Sequence, residues 1–242
     1  MTERDEPRVY WLDLETTGLD PREDRVLEVA VAEAPSLARC LELGRRYERV
    51  LHRGGDAATR LEGAPLVWQM HEASGLLAEC AASTATELDA ERELLAWVAP
   101  GSGHVLAGRS VHFDRGFLLQ RMPALAARFS YRLLDVSAVE FALRAAGMAA
   151  LPKAEAHRAG PDVDESAAHL ARCLGWVAAV RAQEAPEALL TVQLHPSPAL
   201  PGQWVARLAE RDLVSQGDGV PHALEMLAGA VRLQDELSRA RP

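Results

Sequence analysis

Val9 to Leu14 form a short apolar run that stops at the turn-forming sequence TGLDP, the pattern of a buried strand. Strands are also predicted at 25–34 and about 41–51, so the first three form a meander with turns at 18–24 and 34–37. The period then lengthens, predicting helices near 64–71, 73–81 and 84–98. His104 to Ala107 is another short apolar run, broken by Gly108. Ser110 suits the N-cap of a helix over 111–121 whose apolar face is Val111, Leu118 and Leu119. A strand near 131–134 and helices at 136–146 and 161–182 follow. In the last of these Pro161 opens the helix, and Val163, Ala167, Leu170, Leu174 and Val177 form one stripe. Strands and helices alternating around a sheet predict a layered α/β domain.

Past this point the pattern weakens. Pro186 and the HPSPALPG stretch at 195–202 interrupt it, and WVARLAERDLV and PHALEMLAGAVRLQDEL then carry helical spacing. Leu224, Leu227, Val231 and Leu237 would form a narrow apolar seam. The expected division is one domain over 8–182 and a helical extension over 183–242.

Three separated segments carry candidate chemistry. On the first strand Asp13 and Glu15 are two residues apart, so they share one face. Two carboxylates on a buried face repel, and a hard cation removes that cost. A bare D-x-E pair is weak, because most such pairs sit at solvated strand ends. The following residues strengthen it: Gly18 permits a tight turn and close backbone approach, and Thr16 adds a hydroxyl. Asp114 falls in the early turns of the 111–121 helix, at a strand-to-helix transition where ligand sites gather in open α/β sheets. Asp162 opens the 161–182 helix, and His157 precedes it in a loop, where an imidazole is mobile enough to serve as a base.

Together the segments LDLETTGLDPREDRVLEVA, HEASGL, AGRSVHFDRGFLLQRMPAL, RFSYRLLDVSAVEF and HRAGPDVDES run in an order that resembles the oligoribonuclease family. That family is a branch of the DEDD exonuclease superfamily, histidine subtype, and the likeness covers about residues 8–182. It implies a ribonuclease-H-like fold: a central mixed five-stranded sheet with helices on both faces. It also implies 3′-to-5′ hydrolysis of short oligoribonucleotides, especially dinucleotides, to nucleoside 5′-monophosphates. Two divalent cations, Mg²⁺ or Mn²⁺, would be held by Asp13, Glu15, Asp114 and Asp162, with His157 as general base. Leu19 matches a residue that wedges between the terminal bases, and His71 one near the substrate. Tyr131 matches a tyrosine that a homodimer brings to the partner's site, and Ser110, Arg132 and Ser137 match positions that hold a 5′ phosphate. Some positions depart from the branch: Arg109 stands where asparagine is usual, and Gly160-Pro161 replace a leucine and an acid.

Composition narrows the partners. A net charge of −9 disfavours tight binding of long nucleic acid, which calls for a basic stripe, but a short single-stranded RNA or dinucleotide offers few phosphates. No apolar run approaches the ~18 residues of a membrane span, and MTERDEPR lacks the apolar core of a secretion signal. Cys40, Cys80 and Cys173 are odd in number and read as reduced thiols, so a cytoplasmic enzyme is expected. Two other readings stay open: a DNA-directed 3′-to-5′ exonuclease of the same superfamily, and a non-catalytic binding module, against which a general base argues.

Overall fold

In the computed structural model, which describes residues 7–152, 157–183, 192–208 and 211–239, the chain forms two compact units, residues 1–179 and 180–242. The first is built on five strands: β1 (Val9–Thr16), β2 (Val26–Ala34), β3 (Arg46–Val50), β4 (His104–Gly108) and β5 (Phe129–Asp135). Their order is β3-β2-β1-β4-β5. The β1–β2 and β2–β3 pairs are antiparallel, connected by loops 17–25 and 35–45, and the β1–β4 and β4–β5 pairs are parallel, joined through helices. This is the mixed five-stranded sheet expected from the sequence.

Period two on β1 divides the core. Tyr10, Leu12 and Leu14 face one layer with Val29, Val31 and Leu106. Packed there are α4 (Glu87–Trp97), α5 (Val111–Arg121) and the short α6 (Pro123–Ala126); the helices before them are α1 (Gly55–Glu62), α2 (Pro65–Ala73) and α3 (Leu76–Ala82). Val9 and Trp11 face the other layer with Ala30, Ala32 and Ala107, covered by residues of α7 (Val136–Ala145) and α8 (Ala159–Gln183). The alanines of β2 leave room for Trp11, whose indole N–H donates to the Cys40 carbonyl at 2.7 Å. Helices therefore lie on both faces, and Asp13 and Glu15 continue the Val9–Trp11 face toward α8.

Several expectations shift in detail. The third strand is shorter than 41–51, and α1 and α6 were not foreseen. On α5 the inward residues are Val111, Phe117 and Leu118, while Leu119 is 46% exposed. Helix α8 begins at Ala159, so Pro161 lies inside its first turn, where its missing N–H is one that has no intrahelical acceptor anyway. The α8 stripe runs Val163, Ala167, Leu170 and then Cys173; Leu174 is exposed. Gly108, closing β4, lies where a Cβ would meet the Leu12 carbonyl at 2.7 Å, so only glycine lets β4 approach β1 this closely. Cys40, Cys80 and Cys173 are buried free thiols.

The second unit corrects the sequence reading. WVARLAERDLV is not a helix: β7 (Trp204–Leu208) and β8 (Leu213–Gly217) occupy most of it, and β6 (Val192–Pro196) completes an antiparallel sheet in the order β6-β7-β8. Residues 209 and 210 lie outside the described residues. In WVARL the period is two, with Ala206 and Leu208 buried and Arg207 exposed. The helix-forming residues obscured that alternation, and pairing with β6 and β8 overrode their propensity. The expected last helix is present as α9 (Val220–Arg239). Its inward seam is Ala223, Leu227 and Val231 against Ala206, Leu208, Trp204 and Leu213, so Leu224 sits beside the seam; the Leu237 side chain lies outside the described residues. No described helix is long and apolar enough to cross a membrane.

Phe117 is fully buried and packs against Phe113 with ring centroids 5.1 Å apart. Phe117→Ala is expected to destabilise the first unit by about 3–5 kcal/mol, while Leu119→Ala on the same helix changes stability by under about 0.5 kcal/mol. Urea unfolding followed by far-UV circular dichroism checks the contrast.

Candidate active site

The end of β1 gathers the acids. Side-chain oxygens of Asp13, Glu15 and Asp162 all lie within 4.8 Å of one another. The strand supplies the first two on one face, and the first turn of α8 brings Asp162 over them. Asp114 reaches the same region from α5. Parallel pairing of β1 with β4 runs from Val9 to Trp11. Beyond it, the Leu14 N–H donates to Asp114 Oδ1 at 3.0 Å, so a carboxylate takes the place a neighbouring strand would have filled. Asp114 is 4% exposed and stands outside the three-acid group.

This crowding sets the electrostatics. The Asp13 carboxyl is pushed well above the usual range, first by burial and then by the charges of Asp114, Glu15, Asp162 and Glu28. Asp114 is pushed up as well, mainly by burial, against which its hydrogen bonds to backbone N–H groups work, with Glu15 and Asp135 adding repulsion. The four neighbouring charges that act most on Asp13 are all carboxylates. Hard oxygen donors that converge with mutual repulsion fit a divalent cation such as Mg²⁺ or Mn²⁺.

The turn after β1 is built around Gly18. The Asp24 carboxylate accepts from the Thr17 hydroxyl and the Asp20 N–H, each at 2.9 Å, and lies so close to Gly18 that a Cβ there would collide with it. Leu19 is thereby held out at the loop tip, 81% exposed. His71 is fully buried on α2. Its Nε2 meets the Thr16 carbonyl at 2.9 Å and therefore carries the proton, which turns the bare Nδ1 toward Glu15 at 3.8 Å. Burial holds its pKa down. His71 thus touches the site through Glu15 and Thr16. His157 is half-buried, and its backbone is left-handed at φ 49°.

On the other side, Asp13, Asp162, Arg109, Ser110 and Ser137 line a cleft of about 250 Å³. Ser110 is left-handed at φ 52°, and its hydroxyl does not cap α5: it lies 3.1 Å from the Ser137 hydroxyl. Tyr131 and Arg132 sit elsewhere, exposed on the edge strand β5, with the guanidinium 5.1 Å from the Tyr131 ring centroid. The fold therefore joins Ser110 and Ser137 to the acid cluster and keeps Tyr131 and Arg132 outside that cleft.

Other residues shape the site without having been singled out in the sequence. Asp135 caps α7 and accepts from the Ser137 and Ser110 N–H groups. Its position just before a helical run is a legible cap signal. Arg109 donates to His169 Nδ1 at 2.8 Å, which leaves the His169 proton on Nε2, 3.0 Å from Glu140. Glu28 is 4% exposed within the buried run VLEVAVAEA, and a charge in such a run is itself a signal.

A mixed five-stranded sheet of this order with helices on both faces is a ribonuclease-H-like fold. Solved structures share it: exonuclease I from Methylocaldum szegediense, at 18% identity and a TM-score of 0.50 over 84% of this chain, and an E. coli ExoI–ssDNA complex with zinc, at 14% and 0.50 over 84%. The chain spans about half of those structures' length, 54% and 55%. No protein-family model matches. Curated relatives are more similar in sequence. The oligoribonuclease of Streptomyces avermitilis is 41% identical over 173 residues, covering 67% of this chain and 83% of that protein. That of Salmonella typhimurium strain LT2 is 36% identical over 176 residues, covering 69% and 93%. The chain belongs to the oligoribonuclease family, and it is a nuclease whose acidic cluster could bind metal.

Raised carboxyl pKa values make ionisation less favourable in the folded than in the unfolded chain. The stabilising share of the protonated acids is complete below the ordinary carboxylate range and is lost as pH rises through the raised values. Without divalent cation, Asp13→Asn is expected to melt about 2–4 °C or more above the parent near neutral pH. The gap should close as pH falls through the raised carboxyl values, where the parent regains its protons. Added Mn²⁺ should raise the parent's melting temperature more than the variant's. Scanning fluorimetry in chelator and in Mn²⁺ measures all three.

Proposed function

We propose that this chain is a two-metal 3′-to-5′ exoribonuclease that degrades short RNA, dinucleotides above all, to nucleoside 5′-monophosphates. The observation that carries this reading is the convergence of the Asp13, Glu15 and Asp162 carboxylates within 4.8 Å in a member of the oligoribonuclease family. These three acids and Asp114 hold the cations, Mg²⁺ or Mn²⁺. Held there, the cations would supply a lowered pKa for a bound water and positive charge for the phosphoryl oxygens. His157 takes the proton from the attacking water. The water oxygen bonds to phosphorus, the P–O3′ bond breaks, and the terminal nucleotide leaves as a 5′-monophosphate.

The remaining residues act on substrate. Leu19 presents its exposed apolar side chain as a wedge between the terminal bases, and His71 lies near the substrate, its Nε2–H held by the Thr16 carbonyl. Ser110 and Ser137 hold the 5′ phosphate from the cleft, and Arg132, outside that cleft in its own protomer, reaches the phosphate in the partner's site by charge-assisted hydrogen bonds. Tyr131 acts across a two-fold homodimer, a reading supported by its 74% exposure on an edge strand. Work in the cytoplasm suits three free, buried thiols.

A ladder of 5′-labelled RNAs from dimers upward, with single-stranded DNA beside it, tests the substrate. Dimers should be hydrolysed fastest in Mn²⁺ and not at all in excess chelator. A preference for long DNA would make the chain a DNA-directed exonuclease instead. His157→Ala is expected to lose about 10²–10⁴-fold in kcat. Arg132→Ala should weaken turnover of a 5′-phosphorylated dimer by about 1.5–3 kcal/mol and that of an unphosphorylated dimer much less. Steady-state kinetics of each variant on both dimers reads these effects, and sedimentation reads the dimer.

A further inference from the structure

Arg158 lies between His157 and the first turn of α8, and two carboxylates hold its side chain. Its Nε donates to both Glu28 oxygens at 3.2 and 3.1 Å, and its Nη2 to Glu28 Oε1 at 2.8 Å. Nη1 and Nη2 donate to the two Glu79 oxygens, each at 2.8 Å. Glu28 comes from β2 and Glu79 from α3, so one side chain is tied to a strand and a helix on separate stretches of chain. The backbone is tied as well. The Ala159 N–H donates to Glu28 Oε2 at 2.9 Å, and the Arg158 carbonyl accepts the Asp162 N–H at 3.0 Å, as an N-cap carbonyl does.

Two consequences meet at this residue. His157 immediately precedes Arg158 with φ 49°, a backbone region that side-chain-bearing residues rarely occupy, so the surrounding contacts must hold it there. Glu28 pairs in register with Glu15 and is among the carboxylates that press on Asp13. With both its oxygens taken by Arg158 and Ala159, it stands outside the three acids that converge. The same guanidinium thus offsets an additional buried charge beside the site and fixes the backbone that carries His157.

We infer that Arg158, gripped by Glu28 and Glu79, is a positioning residue that fixes the His157 imidazole relative to the acid cluster. The inference rests on the reading of His157 as the base. Arg158 acts through His157 and does not touch substrate, so its loss lowers kcat and leaves substrate binding in place.

The test is a double-mutant cycle on the full chain, with a 5′-labelled RNA dinucleotide in Mn²⁺. At saturating Mn²⁺, Arg158→Gln is expected to lower kcat by about 10–100-fold, as a misplaced base does, with KM changed less than about threefold. In the His157→Ala background the same substitution should cost nothing further. Arg158→Lys, which keeps the charge but not the fork, should recover part of the loss. Should Arg158→Gln fail to fold, Glu79→Gln removes one arm of the grip at a half-exposed carboxylate and should give a smaller kcat loss, again absent without His157. Multiplicative losses in the double variant, or losses that track melting temperature or Mn²⁺ affinity, overturn the positioning role and leave the base reading intact. Full activity of His157→Ala alone overturns the base reading and this inference with it.

Discussion

Asp13, Glu15, Asp114 and Asp162 repel one another where water is scarce, and much of the first unit is arranged so that the fold tolerates this. Burial and like charge both raise the Asp13 carboxyl, and the neighbours that act on it most are carboxylates. Such a site is unfavourable in isolation and favourable with hard cations. The cost is met by the two apolar layers on either side of β1, where Tyr10, Trp11 and Leu12 are almost wholly buried. The fold is stable enough elsewhere to hold a destabilised site, a trade common where function needs strain.

The acids arrive by independent routes, and each route has a local cause. Alternation on β1 places Asp13 and Glu15 together. The end of β1–β4 pairing leaves the Leu14 N–H for Asp114, so the same hydrogen bond satisfies the strand end and fixes the acid. Capping of α8 by the Arg158 carbonyl sets Asp162. Strand register, strand termination and helix initiation therefore converge at one point. Glu28 beside them shows how a further buried acid is accommodated: it is satisfied by a guanidinium and a backbone N–H.

The Ser110–Ser137 side of the cleft follows a different logic. Asp135 is a helix cap that also collects the N–H of Ser110, so the capping of α7 brings two hydroxyls within 3.1 Å. Arg109 is anchored by His169 and by Glu140, and it lines that cleft together with Asp13 and Asp162.

Much of the first unit was legible in the chain itself. Short apolar runs closed by turns gave β1, β2 and β4, and helical spacing gave α4, α5 and α8, because each pattern reflects burial of one face by local geometry. The face shared by Asp13 and Glu15 followed from period two alone. The ordered motifs brought in Asp114, His157 and Asp162, which no local pattern distinguishes from ordinary helix-terminal residues. Other features depended on partners distant in sequence. Whether WVARL is strand or helix was decided by pairing with β6 and β8. That His71 faces inward to Glu15, and that Arg158 joins β2 to α3, needed contacts across 55, 130 and 79 positions. Sequence fixes local periodicity and chemistry; which buried charge meets which partner is set only when strands and helices have packed, since desolvation makes each such group's state depend on what finally surrounds it.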